Sequence, residues 1–203
     1  MKLRHTLGLM VVLAGSAGIA LAQQGERGQA VQGPAVEPAL ATPSSIRTEH
    51  EHLHHELELA ITSGGKTAES AKAVAAVLMP HFKAEEEYAM PPLGLLPALA
   101  HDQPLTSEQI RGAIQMSDQL RSHHVQMIRE HRQIHSALES LASSAREEHK
   151  TQALAFAEVL MLHAQNEEQV LYPATLLIGK YLTLIQTAGR RNNSPKLMPS
   201  TKH

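Results

Sequence analysis

The stretch EHEHLHHEL at residues 49–57 returns as EHRQIHSAL at residues 130–138. Both copies have a Glu-His pair, an apolar residue, a second His four positions after the first, and then a Leu. A second stretch, HFKAEEEYAMP at residues 81–91, returns as HAQNEEQVLYP at residues 163–173, with two Glu at matching positions before a Pro. One two-part pattern therefore occurs twice in the same order, which predicts a duplicated helical hairpin.

The region around these repeats has the periodicity of helices. Between residues 45 and 187 apolar residues recur at intervals of three and four, and the alternation typical of strands does not occur. This pattern predicts an all-α fold. Four main helices joined by short turns are typical of an up-down-up-down four-helix bundle, and residues 174–186 predict a short extra C-terminal helix.

Capping and breaking residues mark the predicted helix ends of the first hairpin. Ser45 is expected to cap the first helix, which is expected to stop at the glycine pair 64–65. Thr67 is expected to cap the second helix, which runs to Pro91 and Pro92.

Similar signals mark the second hairpin. Thr106 and Gln109 have the spacing of a capping box, so they predict the start of the third helical region. That region is expected to reach about residue 143, with a break near residues 122–124. The fourth helix is expected to run to Pro173.

The repeats carry pairs of metal-binding side chains four positions apart. Residues four apart lie on one helical face about one turn apart, so each pair presents two ligands in one direction. Each pair continues an apolar stripe, which indicates that this direction is inward. The predicted metal ligands are His50, His54, His81, Glu85, His131, His135, His163 and Glu167.

A buried cation is the best explanation for so many inward polar groups. Unpaired carboxylates in a core cost several kcal/mol each unless a positive charge compensates them. Eight inward ligands exceed the roughly four that one tetrahedral ion accepts, so two metal ions are expected. Imidazole nitrogens with carboxylates, and no sulfur, suit iron, with manganese or zinc as alternatives.

Composition excludes several classes of function. Eighteen Lys and Arg against 20 Asp and Glu give a formal charge of -2, so neither nucleic acid nor an anionic membrane is an expected partner. The absence of Cys excludes disulfides, thiolate zinc sites, iron–sulfur clusters and a cysteine nucleophile. No nucleophile, base and orienting residue combine into a hydrolytic site, so no catalytic residue is assigned.

The two ends of the chain are expected to lie outside the bundle. Residues 1–22 have the charged start, apolar run and small-residue cleavage site of a secretory signal, which predicts cleavage after Ala22 and export to the periplasm or beyond. The apolar run of about 16 residues is shorter than the roughly 20 that span a membrane, so no stable membrane insertion is expected. Residues 23–44 predict a flexible linker, 45–187 the metal-binding bundle and 188–203 a disordered tail.

The repeats resemble the hemerythrin-like, or HHE cation-binding, family, whose four bundle helices carry a His, then HxxxE, then a His, then a second HxxxE. The resemblance extends over both halves of the predicted bundle. It implies a non-haem di-iron centre bridged by carboxylates and an oxo or hydroxo group. It also implies an open position for a small ligand such as dioxygen, peroxide or nitric oxide.

The resemblance carries over to individual residues. His50, His81, His131 and His163 match the core histidines, and Glu85 and Glu167 match the bridging carboxylates. His135 matches the extra histidine that oxygen-carrying hemerythrins have on their third helix. Two departures argue against reversible oxygen carriage: the fourth helix has HxxxE where the carriers usually have HxxxxD, and His54 adds a histidine where the carriers have one ligand.

Polar residues beside these ligands have other predicted roles. Glu86 and Glu168 point about 100° away from the inner glutamates, so they are expected to face solvent or to support a ligand. Glu49 and Glu130 are expected on a solvated face, with orientation of an imidazole as the alternative. Tyr172 is expected to pack in the core, with a hydrogen bond near the site as the alternative.

The sequence leaves three functions open. The leading hypothesis is an exported di-iron protein that binds, senses or reduces dioxygen, peroxide or nitric oxide; it is not a classical enzyme, although peroxide reduction stays open. The first alternative is an extracytoplasmic buffer that captures zinc, nickel or copper with EHEHLHHE. The second is a structural bundle that uses the cation only to fold. The sequence identifies no redox partner.

Overall fold

The computed structural model describes residues 40–192, with side chains described for 40–189. Regular structure in this range is helical throughout, with no strand, which confirms the predicted all-α class. The helices are α1 (Ser44–Thr62), α2 (Gly65–Ala84), α3 (Leu96–Ala100), α4 (Ser107–Glu147), α5 (Thr151–Asn166) and α6 (Tyr172–Asn192). Two π-helical turns, Glu85–Ala89 and Glu167–Leu171, and a 3-10 segment, Pro91–Leu95, connect them.

The long helices pack as a bundle. α1 lies against α2 and α5, and α4 lies against α2, α5 and α6. None of the helices within residues 40–192 is long and apolar enough to cross a membrane. The predicted signal peptide, most of the predicted linker and the end of the predicted tail lie outside the described residues.

The helical region differs from its predicted ends by a few residues. α1 begins at Ser44 after Pro43, and no side chain caps it, so Ser45 is not the cap. A proline fits next to a helix start because the first N–H groups of a helix have no intrahelical partner. At the other end, α6 continues to Asn192.

The first hairpin turns at Gly64 and Gly65, whose φ angles of 77° and 68° lie in the left-handed region that glycine tolerates. Thr67 was predicted to cap α2, but the helix begins at Gly65, so Thr67 lies inside it. The cap is Glu148, whose carboxylate accepts hydrogen bonds from the backbone N–H groups of Lys66 (2.7 Å) and Thr67 (3.0 Å). A carboxylate at the start of a helix accepts hydrogen bonds from N–H groups that have no partner within the helix, and the helix dipole favours its negative charge.

Helix α4 begins with the predicted capping box. The backbone N–H of Gln109 donates to the hydroxyl of Thr106 (3.1 Å), and the backbone N–H of Thr106 donates to the side chain of Gln109 (2.9 Å). The helix then runs unbroken for 41 residues, so the predicted break near 122–124 is wrong. The hydroxyl of Ser122 donates to the carbonyl of Gln119 (2.8 Å), so this polar stretch bonds back to its own helix.

Each hairpin has a π-helical turn at the same place in its repeat. The N–H of Met90 donates to the carbonyl of Glu85 (2.9 Å) in the first hairpin, and the N–H of Tyr172 donates to the carbonyl of Glu167 in the second. A hydrogen bond between residues five apart places Met90 over Glu85 and Tyr172 over Glu167. The π turns therefore determine which side chain lies above each inner glutamate.

The layer of buried histidines lies between two hydrophobic clusters. The first cluster includes Leu53, Phe82, Leu138 and Leu160. The second includes Ile46, Tyr88, Met127 and Tyr172. Each fully buried large apolar side chain contributes about 1.5–3 kcal/mol. The apolar packing on both sides therefore holds a polar layer in the middle of the bundle.

Candidate metal centre

Six of the predicted ligands meet in this buried layer. His50 comes from α1, His81 from α2, His131 from α4 and His163 from α5, and the first residues of the two π turns are Glu85 and Glu167. All six side chains are at most 4% exposed. The duplicated pattern of the sequence therefore corresponds to one cluster to which both hairpins contribute equally.

The six residues form two overlapping groups. Group A consists of His50, Glu85, His163 and Glu167, and group B consists of His81, Glu85, His131 and Glu167. Within each group, one potential ligand atom from every residue lies within 4.8 Å of the others. Each group has two histidines of its own, whereas both glutamates belong to both groups.

The two oxygens of each inner glutamate point to different groups. Glu85 Oε2 lies 3.9 Å from Nε2 of His50 in group A, and its Oε1 lies 3.2 Å from Nε2 of His81 in group B. Glu167 Oε1 lies 2.9 Å from Nε2 of His163 in group A, and its Oε2 lies 3.4 Å from Nε2 of His131 in group B. Both carboxylates therefore have the arrangement of a bridge between two cations.

Each residue of group A has one buried polar atom without a hydrogen-bond partner that lies in the cluster. These atoms are Nε2 of His50, Oε2 of Glu85, Nε2 of His163 and Oε1 of Glu167. Nε2 of His163 and Oε1 of Glu167 are close but not aligned as a hydrogen bond. A buried polar atom without a partner costs about 1–3 kcal/mol. Four such atoms around one point fit a metal ion, which satisfies all of them at once.

Group B has a phenol among its ligand atoms. The hydroxyl of Tyr172 donates to Oε1 of Glu85, and its oxygen lies 3.3 Å from Nε2 of His81 and 3.2 Å from Nε2 of His131. The ring of Tyr172 stacks on the ring of His131, with centroids 5.6 Å apart and an interplanar angle of 14°. The side chain is fully buried. The alternative prediction for Tyr172, a hydrogen bond near the site, describes its position better than core packing alone.

Four outer glutamates contact the other ring nitrogens of the four histidines. The Nδ1 atoms of His50, His81, His131 and His163 lie 3.3 Å from Glu86, 2.8 Å from Glu130, 2.9 Å from Glu168 and 3.0 Å from Glu49, respectively. Each glutamate comes from a neighbouring helix, so the contacts form a closed ring around the bundle. A carboxylate at Nδ1 fixes the orientation of an imidazole and directs its Nε2 inward.

These contacts support the alternative role predicted for Glu49 and Glu130, orientation of an imidazole. The side chain of Glu49 is 45% exposed and that of Glu130 is 26% exposed, and each lies beside the Nδ1 atom of a buried His on a neighbouring helix. A residue adjacent to an inward His is turned by about 100°, so it can reach a neighbouring helix and still be partly exposed to solvent. The repeated Glu-His and Glu-Glu pairs of the sequence are the signal that identifies all four outer glutamates.

The carboxylates change the acidity of the buried histidines. Burial lowers the pKa of His131, but the close carboxylates of Glu167 and Glu85 outweigh it and raise that pKa to about 10. Burial likewise lowers the pKa of His163, but close contact with Glu167 outweighs it and raises that pKa to about 9. For Glu167, burial is outweighed by close contacts with three histidines, so its pKa is lowered. The anionic glutamates thus favour a positive charge at this point of the core.

His54 and His135 lie outside both groups. The side chain of His135 is 50% exposed and lies 3.6 Å from Glu139. Four residues turn a helix by about 400°, so a residue four after an inward His is already rotated by about 40°. On α1, the ring of Phe82 stacks on His50 at 4.2 Å, and His54 is only half-buried beside it. The structure therefore brings together six of the eight predicted ligands.

Comparison with known proteins agrees with this geometry. A family model described as the Hemerythrin HHE cation binding domain matches residues 43–175. The match includes both hairpins and all six residues of the two groups. Searches of curated proteins and of solved structures each returned no match.

Proposed function

The chain belongs to the hemerythrin HHE cation-binding domain family, and we propose that its buried cluster binds two metal ions, one in each group. The proposed ligands are His50 and His163 in group A, His81 and His131 in group B, and Glu85 and Glu167 as bridges. The observation that carries the proposal is the set of four partnerless buried atoms that converge in group A. A pair of cations would also compensate the two buried carboxylates.

Iron is the metal that we propose for the native protein. The donors are imidazole nitrogens and carboxylate oxygens, which suit iron, with manganese or zinc as alternatives. Iron would supply reversible electron transfer and an open position for a small ligand. We therefore propose that the protein binds, senses or reduces dioxygen, peroxide or nitric oxide.

The residues around the cluster support this role in two ways. Outer glutamates hydrogen-bond to Nδ1 of His50, His81 and His131, and Glu49 lies 3.0 Å from Nδ1 of His163. A carboxylate at Nδ1 favours a proton there and leaves Nε2 free for a metal. The hydrophobic clusters on both sides exclude water from the polar layer, which strengthens its electrostatic interactions. This environment favours tight and specific ligation over transient surface binding.

A narrow groove provides a route for a small ligand. It lies between α4 and α5, has a volume of about 170 Å³ and is lined by residues that include His131, His135, Ala164 and Glu168. We propose that a small ligand approaches group B through this groove, because His131 is among the residues that line it.

The deciding experiment is metal analysis with an optical spectrum of the protein as isolated from iron-replete cells. We expect two irons per chain and a visible absorption band that dithionite bleaches and air restores. Zinc, nickel or copper without a redox-sensitive band would support the alternative, an extracytoplasmic metal buffer. Exposure of His52 and His55 on α1 favours that alternative, because it leaves histidines of EHEHLHHE accessible. A protein isolated without metal, which on reconstitution binds neither iron nor zinc, nickel or copper, would overturn both.

We also propose that the protein is exported. Cleavage after Ala22 would release the chain outside the cytoplasm, and N-terminal sequencing of protein from the periplasm or medium tests this. Intact Met1 in that fraction would contradict it.

The packing of α1 on α2 and α5, and of α4 on α2 and α5, supports an up-down-up-down course with an extra helix after the fourth.

A further inference from the structure

We infer that the phenolic oxygen of Tyr172 is a ligand of the metal ion in group B. The inference rests on the proposed function, since it requires that group B binds a metal. It adds an oxygen ligand to a set otherwise made of two histidines and two bridging glutamates. It also makes the two metal ions chemically different.

The position of the oxygen supports this inference. It contacts Oε1 of Glu85 and lies 3.3 Å and 3.2 Å from the Nε2 atoms of His81 and His131. Two neighbouring ligands of one octahedral ion, with bonds of about 2.1 Å, lie roughly 3 Å apart. The phenolic oxygen therefore has the spacing of a further ligand next to these three donor atoms.

The π turn and the packing hold the phenol in this place. Tyr172 follows the π turn and donates its backbone N–H to Glu167, which places it over that glutamate. Its ring stacks on His131 and is fully buried, so the hydroxyl has no access to solvent. Movement of the oxygen away from the ligand atoms would disrupt both the stacking and the core.

The chemistry of the phenol also fits. In the absence of a cation the hydroxyl of Tyr172 donates to Oε1 of Glu85. A bound metal ion would favour the phenolate, because its charge stabilises an anionic oxygen ligand. Ligation replaces the O–H bond by a metal–oxygen bond, and the proton leaves to solvent with the others that metal binding releases.

The first repeat lacks this ligand. Met90 stands at the position that corresponds to Tyr172, over Glu85, and is fully buried. Its thioether is a soft donor that hard ferric iron does not favour. Group A is therefore limited to histidine and carboxylate donors, and only group B has a phenol within reach among the described residues.

The test compares the wild-type protein with Tyr172→Phe and with Tyr88→Phe as the matched control. Tyr88 is also a buried tyrosine of the bundle, but its hydroxyl donates to the sulfur of Met127 (3.3 Å). Metal-free protein is loaded with Fe(II) under anaerobic conditions and then oxidised. We expect a visible phenolate-to-Fe(III) band in the wild type and in Tyr88→Phe, and its loss in Tyr172→Phe. Zn(II) titrations should show that the affinity of one of the two sites falls at least about tenfold in Tyr172→Phe.

Each outcome has a distinct meaning. If the wild type binds no metal, the proposed function fails. If the wild type binds two irons without phenolate vibrations in its resonance Raman spectrum, the inference about Tyr172 is wrong. An unchanged band or an unchanged zinc affinity in Tyr172→Phe would also overturn it, and tighter zinc binding would identify the phenol as an obstacle. The resonance Raman measurement on the wild type decides the matter even if the variant does not fold.

Discussion

Groups A and B are built from the same repeat, but their surroundings differ at two positions. Beside group A, Phe82 stacks on His50, whereas Ala164 occupies the corresponding position beside group B and lines a groove. Met90 of the first repeat stands at the position of Tyr172, whose hydroxyl oxygen lies 3.2 Å from Nε2 of His131 in group B. The duplication thus sets where the candidate ligands are, and two differences between the copies distinguish the surroundings of the groups.

We expect this difference to give the two groups separate roles. Beside group A, the ring of Phe82 covers His50, and the available ligands are the histidines of the group and the shared glutamates. Beside group B lie the phenol of Tyr172 and the surface groove that Ala164 lines. Small ligands are therefore expected to reach the metal in group B, while the metal in group A stays shielded.

Removal of a bridging glutamate should have the largest effect, because it acts on both groups at once. For Glu85→Ala and Glu167→Ala we expect metal content to fall from two ions toward one or none. Alanine is the best helix former, so loss of metal would not follow simply from loss of the helix. Metal analysis after gel filtration measures the effect. Glu87→Ala is the control, since Glu87 is exposed and belongs to neither group. Two retained ions in Glu85→Ala would contradict the bridging arrangement.

Removal of an outer glutamate should have a smaller effect that is confined to one group. Glu86 and Glu49 contact the histidines of group A, whereas Glu130 and Glu168 contact those of group B. Loss of such a contact typically weakens metal binding 10–100-fold. We expect Gln substitutions of Glu130 and Glu168 to weaken the site with the phenolate band, and those of Glu86 and Glu49 to weaken the other site. Equal weakening of both sites by every variant would show that the groups are not separate.

The role of the groove can be tested by substitution of Ala164 and Phe82, which occupy corresponding positions in the two repeats. In Ala164→Phe a ring is added beside group B, and we expect the association rate of azide with the ferric protein to fall about tenfold. In Phe82→Leu the ring beside group A is removed while most of its volume is kept, which is expected to cost less than about 1.5 kcal/mol. Stopped-flow absorbance measures both rates. If Phe82→Leu, rather than Ala164→Phe, changed the azide rate, the ligand would enter by group A.

The sequence was sufficient to predict the all-α class and six positions of the cluster. A helix directs residues four apart to one face, so His81 with Glu85 and His163 with Glu167 could be paired without any tertiary information. The same spacing also paired His50 with His54 and His131 with His135, but His54 and His135 lie outside both groups. The rotation of about 40° per four residues leaves each such residue near the edge of the face. Whether it points in or out then depends on a neighbour such as Phe82 on another helix.

The contacts of Tyr172 and of the outer glutamates could not be predicted from the apolar periodicity of the sequence. On a regular helix Tyr172 would be turned by about 140° from Glu167, five residues before it. The π turn changes this angle by a shift of one hydrogen bond, and no feature of the apolar pattern indicates such a shift. Glu130 contacts His81 on a different helix, so its role depends on how α4 is rotated against α2.

The smallest effect is expected where the two hairpins meet far from the metals. Glu148, at the turn of the second hairpin, caps α2 of the first, and Glu148→Gln should lower the Tm of the metal-free protein without a change in metal content. Hydrogen bonds from Thr67 and Lys66 lower the pKa of Glu148 from 4.5 to about 2. The stabilisation by its charge is therefore fully present above pH 4.5 and is lost as the pH falls through about 2. The Tm difference between the metal-free wild type and Glu148→Gln should accordingly close over this range, as measured by circular dichroism. A difference that persists at pH 2 would show that the charge of Glu148 does not stabilise the start of α2.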